Sequence, residues 1–244
     1  MIDFAGIVPN SKVDYPGKSC AVVYLSGCNF RCSFCNNKEI VTGEICKKID
    51  VEEIVKPLAN NFMIEAVCIT GGEPLMQDET IKLIASLRKN TPLAIKLDTN
   101  GYFPDKLERV LPALSFISID IKAPFEKYTK AVGVEEAYII SNLEKTLAIV
   151  KKCRFPKEAR TVIVPGLNDT EEDIAKIAAI VRENKFDLYT LQQFRPENTL
   201  DPNYTNLASP SVEQMRILGK TAKSFLPEAK VRVATAENGI ESIL

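Results

Sequence analysis

The chain has 244 residues with 31 basic and 32 acidic side chains, a net charge of −1, and so carries no electrostatic signature of a nucleic-acid or anionic-membrane partner. Histidine is absent, which excludes Ser-His-Asp triads, His-based acid–base catalysis and every His-containing metal site, and argues against hydrolytic zinc enzymes. A hydrophobic fraction of 45 % supports a sizeable core, no apolar run approaches the ~20 residues of a membrane span, the start Met1–Gly6 lacks a secretory pattern, and an odd count of seven cysteines suits reduced thiols in the cytoplasm.

The opening segment, with Ile7-Val8-Pro9 and the turn Asp14-Tyr15-Pro16-Gly17, reads as an extended lead-in across the first strand. That strand is expected over 20–26, and three cysteines follow it. A helix starts near Asp50 as its N-cap, with Val51, Ile54, Val55 and Leu58 at helical spacing. A strand over 65–70 ends in Gly71-Gly72-Glu73-Pro74, followed by a helix over 78–89. Strand 93–98 ends in Thr99-Asn100-Gly101, a short helix spans 105–111, and strand 115–120 ends in Ile121-Lys122-Ala123-Pro124. A helix around 139–152 precedes strand 159–164, which runs into Pro165-Gly166-Leu167-Asn168-Asp169. Thr170-Glu171-Glu172-Asp173 caps a helix to about Asn184. Strand 188–194, a Pro/Asn-rich loop over 195–210, a helix over 211–225 and a strand over 229–235 complete the chain.

Strands alternating with helices indicate βα units and a parallel sheet. Six such units are too few for a complete eight-unit barrel, which leaves a partial barrel or a doubly wound sheet. Polar groups sit just after nearly every predicted strand, the face where parallel α/β proteins bind ligands, and this favours the barrel with one convergent site.

Cys28, Cys32 and Cys35 lie on one loop, spaced x3 and x2, with no fourth thiolate at matching spacing. Three thiolates suit a soft metal or an iron–sulfur cluster with an open position. Cys20 or Cys46 as a fourth ligand would instead give a closed structural zinc site; Cys20 and Cys68, inside apolar strands, read better as core residues. The Gly71-Gly72 pair lets backbone approach a ligand closely, and Glu73 adds charge or braces the loop. Asp98 and Asp120 end apolar strands. Lys122, two residues after Asp120, shares its face and suits a ligand carboxylate, with Arg195 a second candidate cation.

The Cys-x3-Cys-x2-Cys motif with Phe34 before its last cysteine resembles that of the radical S-adenosylmethionine (SAM) enzymes. Within them, Gly27–Asn37, Thr70–Pro74, Asp98–Gly101 and Asp120–Lys122 resemble the glycyl-radical-enzyme activating enzymes. Asp14–Gly17 and Leu191–Pro196 look like the branch that activates anaerobic ribonucleotide reductase. The resemblance implies a partial (β/α)6 TIM-like barrel in a single radical SAM domain over 1–244, with a lead-in 1–18, a core 19–195 and a C-terminal part 196–244. It implies one [4Fe–4S] cluster on Cys28, Cys32 and Cys35, the fourth iron being chelated by SAM. An oxidoreductase is implied that cleaves SAM to a 5′-deoxyadenosyl radical and installs a glycyl radical on a partner enzyme, with a flavodoxin- or ferredoxin-type electron donor. By the same resemblance, Gly71, Gly72 and Glu73 receive the methionine amino group with Asp98 as its anionic partner. Lys122 pairs with the carboxylate, Asp120 and a residue near Arg195 meet the ribose, Phe34 and Asn36 border the adenine, and Pro74, Asn100, Ile121, Ala123 and Arg195 itself complete the candidate SAM contacts. Asn36 and Arg195 depart from the histidines common in the family at these places.

Two rivals stand beside this reading. One keeps the radical chemistry with a small molecule or peptide as substrate, as in the deazaguanine synthases. The other is a structural metal-binding protein that holds zinc.

Overall fold

In the computed structural model, residues 1–135 and 137–244 are described, and they divide into two compact units. The first comprises Met1–Asn29 with Asn37–Ser118, the second Phe30–Asn36 with Ile119–Leu244.

In the first unit the lead-in is a ten-residue strand, β1 (Ile2–Ser11), antiparallel to β2 (Cys20–Leu25). After the cysteine loop come α1 (Lys38–Thr42), β3 (Lys47–Ile49), α2 (Val51–Ala59), β4 (Ala66–Gly71), α3 (Glu79–Asn90), β5 (Ala94–Thr99), α4 (Pro104–Val110) and β6 (Phe116–Asp120), whose last two residues belong to the second unit. The unit's sheet runs β3–β1–β2–β4–β5, with β2, β4 and β5 parallel. Those three are almost continuously apolar and buried, as strands covered on both faces must be. One exception matters: β5 carries Lys96 and Asp98 inward. Below them Tyr15 is tucked among Cys20, Val22, Ala66, Cys68 and Phe116, its ring 5.6 Å from that of Phe116. The turn in the lead-in therefore delivers an aromatic plug to the core.

The second unit adds α5 (Tyr128–Val132), α6 (Ile139–Val150), β7 (Lys157–Ile163), α7 (Glu171–Glu183), β8 (Leu188–Gln193), α8 (Val212–Phe225), β9 (Lys230–Thr235) and β10 (Gly239–Ile243). Strands β7, β8 and β9 are parallel, and β10 turns back antiparallel on β9. Thr170 Oγ1 accepts from Asp173 N–H at 3.1 Å to cap α7, and Ser211 Oγ does the same for Gln214 N–H on α8. Ile174, Ile177 and Val181 of α7 and Met215, Leu218 and Ala222 of α8 are buried.

The expected first strand is thus second in the chain, because the lead-in itself pairs. Elements α1, β3, α5 and β10 were not anticipated. The first three span five, three and five residues, too short for periodicity to register, and β10 is a largely exposed edge. Among the described residues no helix is long and apolar enough to cross a membrane.

Candidate functional site

Each unit contributes its own group of polar side chains at the C-terminal ends of its strands. In the first unit the centre is Glu73, a carboxylate with 0 % exposure. Its Oε1 accepts from Thr99 Oγ1 at 2.7 Å and from Leu75 N–H at 2.9 Å, and its Oε2 accepts from Asn100 N–H at 2.7 Å. Glu73 therefore ties the turn after β4 to the turn after β5. Of the two roles open to it from sequence, the structure displays the brace.

The glycines before it serve close approach within the chain. Gly71 adopts φ +131°, and a Cβ on it would meet the backbone of Leu25. A Cβ on Gly72 would drive into the carbonyl of Gly27, beside Cys28. Gly72 N–H donates to Leu25 O and Glu73 N–H to Gly27 O, both at 2.9 Å. What this turn can offer to an amino group is accordingly carbonyl oxygen. Asn100 Nδ2 donates to Asn29 Oδ1 at 2.9 Å and lies 3.9 Å from Cys28 Sγ, while Asn29 Nδ2 is buried without a partner.

Asp98 has a partner that sequence reasoning missed. Lys96 Nζ lies 2.7 Å from Asp98 Oδ1, with the two side chains 2 % and 7 % exposed. The ammonium also sits 3.8 Å from Cys68 Sγ and 5.8 Å from the centre of the Phe116 ring. The signal was available: two residues apart on one strand, Lys96 and Asp98 must share a face.

In the second unit Asp120 is the hub. Lys122 Nζ reaches its Oδ2 at 2.8 Å and Arg160 Nε its Oδ1 at 3.1 Å. Burial pushes the Asp120 carboxyl up, but Lys122 and Arg160 outweigh it and hold the group at about 2. Burial likewise opposes the Lys122 charge, and Asp120 overcomes it, so the ammonium is held well above its usual range. Arg160 was missed because it lies inside a strand, away from any loop motif. Lys122 is fixed at its backbone too: Asn168 Nδ2 donates to its carbonyl at 2.7 Å, and Ile121 N–H donates to Arg160 O at 2.9 Å. Ile121 and Ala123 are fully buried and pack this turn.

The cysteine loop's second-unit part is stitched to the segment after β8. Leu200 N–H donates to Cys35 O at 2.9 Å and Asp201 N–H to Ser33 O at 3.0 Å. Asn36 Nδ2 donates to the carbonyls of Arg195 at 2.8 Å and Glu197 at 2.6 Å. The structure thus joins Asn36 to Arg195 through backbone, with the Arg195 side chain exposed. Phe34 is buried at 5 %, and Pro74 is buried at the start of a 3-10 turn, Pro74–Met76. All seven cysteines are free thiols; burial pushes Cys32 up to about 11 despite Lys122 nearby. Among the described residues no three His, Cys, Asp or Glu side chains stand as a preassembled metal site. Cys46 is exposed and Cys20 is sealed in the core.

The Radical SAM superfamily matches residues 22–179 of this chain. A protein of Methanocaldococcus jannaschii that carries the name of a glycyl-radical enzyme activating enzyme is 35 % identical over 232 residues, 93 % of this chain and 95 % of that one. The pyruvate formate-lyase-activating enzyme of Clostridium pasteurianum is 30 % identical over 70 % of this chain and 72 % of its own length. Among solved structures, a radical SAM methyltransferase from Sphaerobacter thermophilus superposes with a TM-score of 0.69 over 91 % of this chain and 68 % of that one, at 19 % identity.

Proposed function

Since this chain belongs to the radical SAM superfamily, whose cofactors are a [4Fe–4S] cluster and SAM and whose core is a partial α/β barrel, we propose that it activates a glycyl radical enzyme. The observation that carries this reading is the likeness, over 93 % of the chain, to a protein bearing that name, joined to three free thiols on one eight-residue loop. The donor set fits the cofactors. Three cysteines leave an iron for the amino and carboxylate groups of SAM, the Gly71-Gly72 turn packs without side chains against Gly27 beside Cys28, and a buried amide donor next to Cys28 lacks an acceptor. On this reading residues 1–244 act as one radical SAM domain, with 1–18 as lead-in, 19–195 as core and 196–244 as the closing part.

Bound at these residues, the cluster and SAM would supply the one-electron reductive chemistry needed to take a hydrogen atom from a glycine of the partner. The chain's own residues position the parts. Cys28, Cys32 and Cys35 are the iron ligands. The Gly71–Pro74 turn, braced by Glu73 and Asn100, receives the amino group, and Asp98, oriented by Lys96, adds its second oxygen edge. Lys122, kept charged by Asp120, pairs with the carboxylate. Asp120 and Arg195 meet the ribose, while Phe34, Asn36, Ile121 and Ala123 line the remainder and exclude water. A flavodoxin- or ferredoxin-type protein donates the electron, in the reducing cytoplasmic setting that seven free cysteines suit.

The test is made without air on the iron-loaded chain. Reduction in the presence of SAM should yield 5′-deoxyadenosine, and addition of a glycyl radical enzyme should give the EPR doublet of a backbone glycyl radical. Substituting Cys28, Cys32 or Cys35 by Ala should abolish iron binding, whereas Cys46→Ala should retain it. 5′-Deoxyadenosine without any glycyl radical would favour a small-molecule or peptide substrate. Zinc in place of iron after anaerobic purification would remove the radical reading altogether.

A further inference from the structure

Asn29 follows Cys28 directly, and its Nδ2 is a buried amide nitrogen with no hydrogen-bond partner in the chain. The direction of that amide is set by a relay. Tyr102 N–H donates to Asn100 Oδ1 at 3.0 Å, so Asn100 must present its NH2 on the other side. That NH2 donates to Asn29 Oδ1 at 2.9 Å, so Asn29 in turn must present its own NH2 away from the relay. Asn100 is itself anchored through its N–H to Glu73 Oε2 at 2.7 Å, and its Nδ2 passes 3.9 Å from Cys28 Sγ. Flipping Asn100 would set its NH2 against Tyr102 N–H, and flipping Asn29 alone would set its NH2 against that of Asn100. The orphan is therefore a consequence of the surrounding bonds, and it lies in the loop that carries a cluster ligand.

A buried donor without an acceptor is costly, and such a group marks a place where an acceptor arrives from outside the chain. At Cys28 the arriving acceptors are the sulfurs of the cluster, which gain electron density on reduction. N–H bonds to such sulfurs favour the reduced form and raise the potential. We propose that the Asn29 carboxamide donates to the cluster at its Cys28 corner and so sets how readily the cluster is reduced, with Asn100 as the residue that orients it. This rests on Cys28, Cys32 and Cys35 being the ligands, and it extends that reading to a residue that binds no metal.

The experiment is a potentiometric titration of the full chain, loaded with iron and sulfide without air and without SAM, the reduced cluster being read by EPR. Asn29→Ala should hold the same iron per chain as wild type. Its midpoint should fall so that the oxidised-to-reduced ratio at a fixed potential rises about tenfold, which for a one-electron couple is about 59 mV. Asn29→Leu, near in shape and equally without a donor, should give the same shift and serves where alanine loosens the loop. A purely structural role would alter loading and leave the midpoint of loaded protein in place. An unchanged midpoint in either fully loaded variant overturns the proposal. Failure of the wild type to hold iron overturns the ligand reading, and this proposal with it.

Discussion

Glu73→Gln is the most informative single substitution, because it preserves shape and changes only charge and donor pattern. All three donors around the carboxylate are within 2.9 Å, and no water-exposed direction exists at 0 % exposure. A glutamine must turn its NH2 toward either the Thr99–Leu75 pair or Asn100 N–H. The second orientation is cheaper, since its oxygen keeps two donors. It still loses a charge-assisted bond, about 1.5–3 kcal/mol, and leaves two buried donors facing each other, about 1–3 kcal/mol more. The expected loss is about 3–5 kcal/mol, read from the urea midpoint of the unloaded chain. Because the turn after β5 loses its tether, SAM affinity of the loaded protein should fall as well. Thr99→Val removes one of the same bonds and should cost about 1 kcal/mol alone. In the double variant the two effects should fall short of additive by at least about 0.5 kcal/mol, as for residues sharing one network. A glutamine variant within about 1 kcal/mol of wild type, with unaltered denaturant slope, would refute the brace.

Gly72→Ala should destabilise by about 1–3 kcal/mol or more, because its Cβ would press on the Gly27 carbonyl, which Glu73 N–H holds in place; a urea melt checks this. Asp120 sits at about 2 in the folded chain against an ordinary 3.8, worth about 2 kcal/mol. As a depressed carboxylate it contributes fully above about pH 4 and loses that contribution as pH falls toward 2, so Asp120→Asn should flatten the stability–pH profile over that interval. Lys96→Met should cost about 3–5 kcal/mol by stranding the buried Asp98 carboxylate, and adding Asp98→Leu should recover part of it; a single-variant cost below about 1 kcal/mol would contradict the ion pair.

What could be read from the chain in advance was what local chemistry writes locally. The cap at Thr170, the helix start at Asp50, the turn glycines at 71 and 72 and the cysteine spacing each depend on residues within a few positions of one another. So do the apolar runs that placed buried strands at 65–70, 93–98 and 188–194, within a residue of the observed 66–71, 94–99 and 188–193. What stayed hidden depends on pairing across distance. The bonds that join Cys35 and Ser33 to Leu200 and Asp201 span more than 160 residues and involve only main-chain atoms, so no side-chain pattern announces them. Arg160 reaches Asp120 from an adjacent strand position, and the Asn29 orphan emerges only once Tyr102, Asn100 and Glu73 have set the direction of two amides.

Charge balance within each unit changes how the strand-end carboxylates are understood. A lone Asp98 would offer a full negative charge to a ligand amine. Paired with Lys96 in a nearly water-free setting it offers an oriented oxygen of a neutral pair, and Glu73 has its charge taken up by three donors. On the proposed reading the first unit would meet the amino group chiefly with fixed dipoles, already oriented before the ligand binds. In the second unit one carboxylate, Asp120, faces two cations, Lys122 and Arg160. Lys122 also lies near Cys32, whose thiol burial makes reluctant to ionise. On the proposed ligand set iron would displace that proton, so loading should grow easier as pH rises, and Lys122 lowers the cost by favouring the thiolate.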